Sequence, residues 1–248
     1  MITIFFSCLN EETRGPETLE TIHDALKDSN KSYEVIAVDD GSTDDTYRLL
    51  LKKCKELDLP AKVVKNEKNL GIGESLKKAL SVSRGEKFLL IAGDNDAPSD
   101  LIRDLVELSD EADLILTFWL NKEMRGRFRN LISTIYNSTY MIFFGVHVAY
   151  LNGPTVWNTD MIKHFEIISS RFSIAAELSV KCLRSGASYI DFPSYMVTGL
   201  AGSSSIKFGN LIEVMTTFVK VFFEIRFTDS EKFSKRPRRV SPKIHLSI

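Results

Sequence analysis

Residues 33–44 read Tyr33-Glu34-Val35-Ile36-Ala37-Val38-Asp39-Asp40-Gly41-Ser42-Thr43-Asp44. An apolar run of strand length stops at two carboxylates and opens into a turn of small polar residues. That is the pattern of a buried strand delivering acidic side chains to its carboxyl end. Outward from this point the same motif of construction repeats. Ile2 to Cys8, Ala61 to Val64, Lys87 to Ala92 and Ala112 to Phe118 are further apolar runs of strand length. Amphipathic stretches separate the first four of these five strands. Leu19, Ile22 and Leu26 form one face of a first helix, with Pro16 expected at its N1 position. Tyr47, Leu50, Leu51 and Cys54 repeat the spacing in a second helix, and Ile72, Leu76, Ala79 and Leu80 in a third, which Gly85 is expected to end as its C′ residue. The order β-α-β-α-β-α-β predicts an α/β fold: a mostly parallel sheet with helices on both faces, whose ligands bind outside the carboxyl ends of the strands.

The second half is less regular. A helix is expected over 127–144, another over 175–184, a short strand over 188–192 ending at Pro193, and a last helix over about 210–226. Beyond it the chain turns basic, with Lys232, Lys235, Arg236, Arg238, Arg239 and Lys243 against Glu231. No repeat and no linker divides the chain. One domain is expected over 1–226, with a nucleotide-binding half to about 118 and an acceptor half from about 119, followed by a basic tail over 227–248.

Composition limits the possibilities further. The 248 residues carry 32 Lys+Arg against 33 Asp+Glu and are 44% hydrophobic and 26% charged, which excludes disordered and fibrous classes. A net charge of −1 offers no global field for nucleic acid, so no nucleic-acid partner is expected. Cys8, Cys54 and Cys182 are far apart and in no Cys-x-x-Cys arrangement, which suggests neither a disulfide framework nor a zinc site and fits a reducing compartment. Ile2 to Leu9 is followed at once by Asn10-Glu11-Glu12 and has no signal-peptide pattern. Between Arg129 and Asp160 there is no charged residue, yet its dense apolar stretch, Tyr140 to Leu151, is about 12 residues where a membrane span needs ~20. A core helix or an interfacial segment is expected there.

Three polar clusters fall at strand ends or helix starts. The first is the acidic turn 39–44, the second Asn69-Leu70-Gly71-Ile72-Gly73, and the third Gly93-Asp94-Asn95-Asp96. The acidic turn is also good turn and N-cap chemistry in its own right. Gly71-x-Gly73 lacks the third glycine of a dinucleotide fingerprint. Asp94-x-Asp96 says more, because paired carboxylates repel one another unless a cation sits between them. Hard oxygen ligands with few protein donors suit Mg²⁺ or Mn²⁺ bridging a diphosphate.

In this order and spacing, a strand ending in Asn10-Glu11-Glu12, a second ending in Asp39-Asp40-Gly41-Ser42, then Asn69-x-Gly71-x-Gly73 and Asp94-x-Asp96, the chain resembles the family 2 glycosyltransferases of the GT-A fold. Arg129-x3-Ser133-x3-Asn137, the Asn152-Gly153-Pro154 turn, Phe172 to Glu177 and Gly202-x-Ser204 are similar to the branch of dolichyl-phosphate mannosyltransferases and other polyprenyl-phosphate glycosyltransferases.

That resemblance implies a metal-dependent, inverting transfer of a sugar from a UDP- or GDP-sugar donor to a polyprenyl phosphate. The alternatives are transfer to a glycan or glycolipid hydroxyl, and an inactive nucleotide-sugar-binding scaffold. By the same resemblance Asn10, Glu11, Asp39, Asp40, Gly41, Ser42, Asn69, Gly71, Gly73 and Asp94 form the nucleotide-sugar site, with Asp39 and Asp40 on the base and ribose. Asp94 and Asp96 hold Mg²⁺ or Mn²⁺ on the diphosphate. Arg125, Arg127, Arg129, Ser133, Asn152, Gly153 and Ser204 serve the acceptor, since planar guanidinium groups bind phosphate oxygens bidentately. The catalytic set implied is Asp96, Arg129 and Glu177, with Glu177 a candidate base if the acceptor is a hydroxyl.

Two departures from the family pattern concern the acceptor side. Gly199 stands where relatives carry an arginine, with Lys207 a possible substitute, and 147–151 lacks the Asp that many relatives have there. His147, Trp119 and Trp157 are expected to pack. From residue 231 onward the chain carries +5, so the preceding 230 residues carry −6 of the overall −1. An acidic body that needs a cation to receive an anionic donor, with an uncharged segment and a basic tail facing lipid, implies a peripheral enzyme at the cytoplasmic face of a membrane.

Overall fold

A computed structural model describes residues 1–124, 126–196 and 208–242, with the side chains of all but 208–211. Among the described residues eight strands form one sheet in the order β3-β2-β1-β4-β6-β5-β7-β8. The expected strands are all present: β1 Ile2–Cys8, β2 Tyr33–Asp39, β3 Ala61–Lys65, β4 Lys87–Leu90, β5 Leu114–Trp119 and β7 Ser188–Ser194. Two are additional. The strand β6, Thr155–Asn158, runs antiparallel between β4 and β5, and β8, Arg238–Arg239, lies parallel to β7 at the edge. The remaining pairs are parallel, so the sheet is mostly parallel as expected.

The helices are α1 Arg14–Leu26, α2 Thr46–Glu56, α3 Ile72–Val82, α4 Ser99–Leu108, α5 Arg127–Phe144, α6 Thr159–Lys163, α7 Ile174–Arg184 and α8 Phe208–Phe223. Strand residues alternate between two cores. Ile4, Phe6, Val35 and Ala37 face α1, α2 and α4 through Leu19, Ile22, Leu50, Leu101 and Leu105. Phe5, Ile36, Val38 and Phe88 face the other layer, with Leu76, Tyr140, Phe144, Leu178 and Val221 from α3, α5, α7 and α8.

Two expectations about helix ends are corrected. Helix α1 begins at Arg14, so Pro16 is its third residue, still in the first turn where a missing N–H costs nothing. Helix α3 ends at Val82 with an extended Ser83, and Gly85 has no left-handed φ. Gly85 is required instead by close approach, because a Cβ there would lie 2.4 Å from the Thr3 nitrogen. The tail also differs. Phe233 is fully buried against Phe165, the Lys235 N–H donates to the Arg184 carbonyl at 3.1 Å, and Arg238–Arg239 extends the sheet. Through Val240 the basic segment is part of the body, since an aromatic anchor and an open sheet edge both gain by its docking.

Candidate active site

The carboxyl ends of β1, β2 and β4 lie side by side at the point where strand order reverses, the position at which open α/β sheets bind ligands. Cys8 and Asp39 are in register across β1 and β2, and the Asp40 N–H donates to the Cys8 carbonyl at 2.8 Å. Asn10, in the left-handed region at φ 56°, clips the two strand ends together. Its N–H donates to Ser42 Oγ at 2.9 Å, and its Oδ1 accepts from the Thr43 N–H at 2.9 Å and Oγ1 at 3.2 Å. Thr46 Oγ1 accepts the Glu11 N–H at 2.8 Å. Asn10 and Ser42 are therefore engaged in building the acidic turn.

The two carboxylates of that turn differ sharply. Asp39 is fully buried; its Oδ1 accepts the Ser42 N–H at 3.0 Å, and its Oδ2 has no hydrogen-bond partner. A buried carboxylate oxygen without a donor is costly unless a ligand supplies one. Asp40 is instead consumed by the protein. It accepts Asn66 Nδ2 at 2.7 Å, the Leu70 N–H at 3.0 Å and the Gly71 N–H at 2.8 Å. These bonds hold the Asn69–Gly73 loop. Buried Asn66 extends the hold through Ser75 Oγ at 3.0 Å and Lys78 Nζ at 2.6 Å, and no motif marked it.

The glycines in this region are steric requirements. A Cβ on Gly41, which has φ 77°, would sit 2.3 Å from the Lys68 carbonyl carbon. On Gly71 or Gly73 it would meet the carbonyl oxygens of Ser170 or Ser169 at 2.3 and 2.2 Å. Gly93 likewise allows its turn to lie against β1, 2.4 Å separating its notional Cβ from the Ser7 oxygen.

That contact brings the Asp94 charge close enough to act on Glu11 and, with Glu11 and Asp39, on Cys8. Burial, followed by the charges of Glu11, Asp39 and Asp94, pushes the Cys8 thiol far up, and burial and then Asp94 raise the Glu11 carboxyl. Asp94 Oδ1 is buried without a partner, Asp96 is half-buried beside it in sequence, and Asn95 between them accepts from Thr21 Oγ1 at 2.8 Å. The site is thus a cluster of like charges with orphaned oxygen atoms. Among the described residues no three Asp, Glu, His or Cys side chains converge as a complete metal set. Two carboxylates of hard oxygen donors fit Mg²⁺ or Mn²⁺ whose remaining ligands come from a diphosphate and water.

On the acceptor side, Arg127 and Arg129 project from the first turn of α5 and are exposed. One turn on, Ser133 and Asn137 line a cavity of about 180 Å³ with Trp119, Lys122, Asn130 and Tyr150. Ser133 Oγ donates to Tyr150 Oη at 3.4 Å, and Lys122 Nζ lies 5.9 Å from the Tyr150 ring centre. Lys122, Asn130 and Tyr150 carry no motif, and only the fold assembles them here. Asn152 is exposed, whereas Gly153 is buried where a Cβ would meet the Thr117 carbonyl oxygen at 2.4 Å, so its part is packing. Arg125, Gly199, Ser204 and Lys207 lie outside the described residues. Trp157 is buried and donates to Ser179 Oγ at 3.2 Å, Trp119 is buried, and His147 is exposed, using its carbonyl to accept from Tyr189.

Glu177 requires correction as a catalytic base. It is fully buried, accepts the N–H groups of Ile168 and Ser169 at 2.8 and 2.7 Å, and pairs with Lys181 at 2.8 Å. Lys181, also fully buried, reaches Glu224 at 2.7 Å and the Glu166 carbonyl at 2.6 Å. A carboxylate so enclosed has no path to a substrate proton and serves to fix the 166–169 segment.

A family model described as glycosyl transferase family 2 matches residues 3–172. The dolichyl-phosphate beta-glucosyltransferase of Mus musculus is 32% identical over 99 residues, which cover 38% of this chain and 31% of that protein. The undecaprenyl-phosphate 4-deoxy-4-formamido-L-arabinose transferase of Klebsiella pneumoniae is 26% identical over 123 residues, 49% of this chain and 38% of that protein. The matches thus span about a third of these curated relatives. Among solved structures, glucosyl-3-phosphoglycerate synthase from Mycobacterium tuberculosis, in complex with Mn²⁺, UDP-glucose and phosphoglyceric acid, superposes with a TM-score of 0.64 at 15% identity, covering 90% of this chain and 79% of that one. S. aureus TarS with UDP-GlcNAc gives 0.64 at 19% identity, over 93% and 69%. The fold is the GT-A fold that the motif order implied.

Proposed function

The chain belongs to glycosyl transferase family 2, and on that premise we propose that it transfers a sugar from a nucleoside diphosphate donor to a polyprenyl phosphate at a membrane surface. The observation that carries the donor half is the pair of buried, unpartnered oxygens, Asp39 Oδ2 and Asp94 Oδ1, at the ends of β2 and β4, the two strands that flank β1. Asp39 Oδ2 is suited to accept from a base N–H or a ribose hydroxyl, with Asp40 keeping the 69–73 loop in place beneath. Asp94 and Asp96 would hold Mg²⁺ or Mn²⁺, whose contribution is to neutralise charge on the departing nucleoside diphosphate.

A phosphate acceptor fits the side chains better than a hydroxyl does. With a second pKa of about 6 it is largely dianionic at neutral pH and needs no base. The burial of Glu177 removes the carboxylate that a hydroxyl acceptor was expected to use. Arg127 and Arg129 supply charge for a phosphate, and alignment then does the rest. The two relatives named for dolichyl-phosphate and undecaprenyl-phosphate transfer support the same acceptor class.

The lipid side of the proposal rests on α5 and α8. They pack through Phe143, Phe144, Phe218 and Phe222, with ring centres 5.4 to 6.2 Å apart, and leave Phe128, Leu131, Ile135, Ile142, Met215, Val219 and Phe223 exposed. Arg127, Arg129, Lys220 and Arg226 are exposed on the same two helices and the turn after them. Apolar side chains framed by cations are the signature of helices lying in an anionic bilayer interface. Among the described residues no helix is long and apolar enough to cross a membrane. We assign the cytoplasmic face.

Radiolabelled UDP- and GDP-sugars offered with Mn²⁺ to polyprenyl phosphate in vesicles and to free glycans test the proposal. Label is expected in the lipid phosphate, lost with chelator and restored by Mn²⁺. Label in glycan alone overturns the acceptor assignment.

A further inference from the structure

We propose that Glu213, on α8, is a positioning residue of the donor site and acts through Ser169; the inference rests on the donor reading above. The donor loop is seated on the segment 168–170 with no slack. The Gly73 N–H donates to the Ser170 carbonyl at 3.0 Å, and neither Gly71 nor Gly73 has room for a Cβ against that backbone. On its other side the loop is held by Asp40, neighbour to Asp39 with its open oxygen. Whatever sets the position of 168–170 therefore sets the donor loop.

Two carboxylates set it. Glu177 takes the N–H groups of Ile168 and Ser169, and Glu213 Oε1 accepts Ser169 Oγ at 2.7 Å, while its Oε2 accepts Ser173 Oγ at 3.4 Å. Ser169 and Ser173 are fully buried and Glu213 is half-buried, so it is the two hydroxyls that are shielded from water and rely on this carboxylate. Helix α8 thus has two working faces. Glu213 and Thr217, one turn apart, look inward onto the support of the donor loop, and Glu224 in the turn that follows the helix reaches buried Lys181. Met215, Val219 and Phe223 look outward. A helix that lies at the proposed lipid-facing surface on one side and holds the donor support on the other couples the two, and such coupling is reciprocal.

The test is the affinity of UDP and of GDP, each with Mn²⁺, by calorimetry on the full chain, together with donor KM and kcat. Glu213→Ala and Ser169→Ala are expected to raise Kd and donor KM by about fivefold, with kcat at saturating donor nearly unchanged. Ser169→Ala removes one hydroxyl only and guards against a Glu213 variant that fails to fold. Glu213→Gln, which keeps an acceptor for Ser169, is expected to recover most of the affinity. Thr217→Val removes a bond from Glu213 but none from Ser169, and is expected to lower Tm while leaving Kd at the parent value. Parent-like Kd in Glu213→Ala and Ser169→Ala overturns the proposal, as does an equal loss in Thr217→Val, which would mark general loosening of α8. If the parent chain binds neither nucleotide, the donor reading itself fails and the inference falls with it.

Discussion

Asp40 and Gly71, 31 residues apart, meet at 2.8 Å, carboxylate oxygen to backbone N–H, while the adjacent Asp39 keeps a buried oxygen free. One of two neighbouring aspartates is thereby committed to the protein, and the other keeps the oxygen that we propose for the donor. Asp39→Asn keeps an acceptor for Ser42 but turns the open oxygen into a donor. It is expected to weaken UDP or GDP binding about tenfold, the loss of a hydrogen bond to a charged group, with little change in Tm. Asp40→Asn leaves part of the loop unpaired and is expected to cost about 1–3 kcal/mol of stability, read by urea denaturation. A reversed pair of results would exchange the two roles.

The acidic cluster predicts how cation binding depends on pH. Burial and the Asp94 charge raise the Glu11 carboxyl. A carboxyl raised on folding contributes stability that is present below its unfolded pKa and is lost as pH rises through the folded value. The metal-free chain therefore loses stability just above the ordinary glutamate range, and Mn²⁺ compensates only where the carboxylates are ionised. The Tm gain from Mn²⁺ is expected to be larger at about pH 7.5 than at about pH 5, and to vanish in Asp94→Asn. An equal gain at both pH values would remove the cluster as the cation site.

Lys181 lies fully buried between Glu177 and Glu224. Lys181→Met leaves fully buried Glu177 and half-buried Glu224 without their cation and is expected to cost about 3–5 kcal/mol. Glu177→Gln, which keeps one of the two acceptors serving Ile168 and Ser169, is expected to lower stability more than kcat. Abolished transfer with unchanged urea midpoint would return Glu177 to the catalytic set.

Val219 and Phe223 are exposed, and the ring contacts of Phe223 are to half-buried Phe222 and exposed Phe227 rather than to the core. The double variant is expected to keep its Tm and to lose most of its co-sedimentation with anionic vesicles, because a carboxylate on the lipid-facing side opposes both the apolar and the electrostatic terms. Unchanged pelleting would exclude this face as the docking surface.

Phe233 anchors the basic segment against Phe165. Phe233→Ala is expected to cost about 3–5 kcal/mol, the range for a buried Phe, measured by urea denaturation. A variant as stable as the parent would show that the segment is a free tail after all.

The strands and the location of the site were legible in the chain because both depend on local pattern. Continuous apolar runs such as Ile2–Cys8 cannot be solvated, and polar residues directly after them must fall at a sheet edge. Strand β6 was not legible, since four residues of mixed polarity, Thr155–Asn158, become a strand only between β4 and β5. Helix α4 does carry a readable apolar spacing at Leu101, Ile102, Leu105 and Leu108, and lay unassigned between two strands. The Cβ-free seats of Gly71 and Gly73 depend on Ser169 and Ser170, almost a hundred residues downstream, which no spacing announces.

By itself the sequence determined which residues could meet at the ends of β1, β2 and β4, because period-two burial and turn chemistry act between near neighbours. Only the tertiary structure decided what each one does. Whether a carboxylate is spent on the backbone, as in Asp40, sealed with a lysine, as in Glu177, or left with an open oxygen, as in Asp39, depends on donors brought in from distant segments. Those donors, and the water they exclude, exist only once the chain has folded.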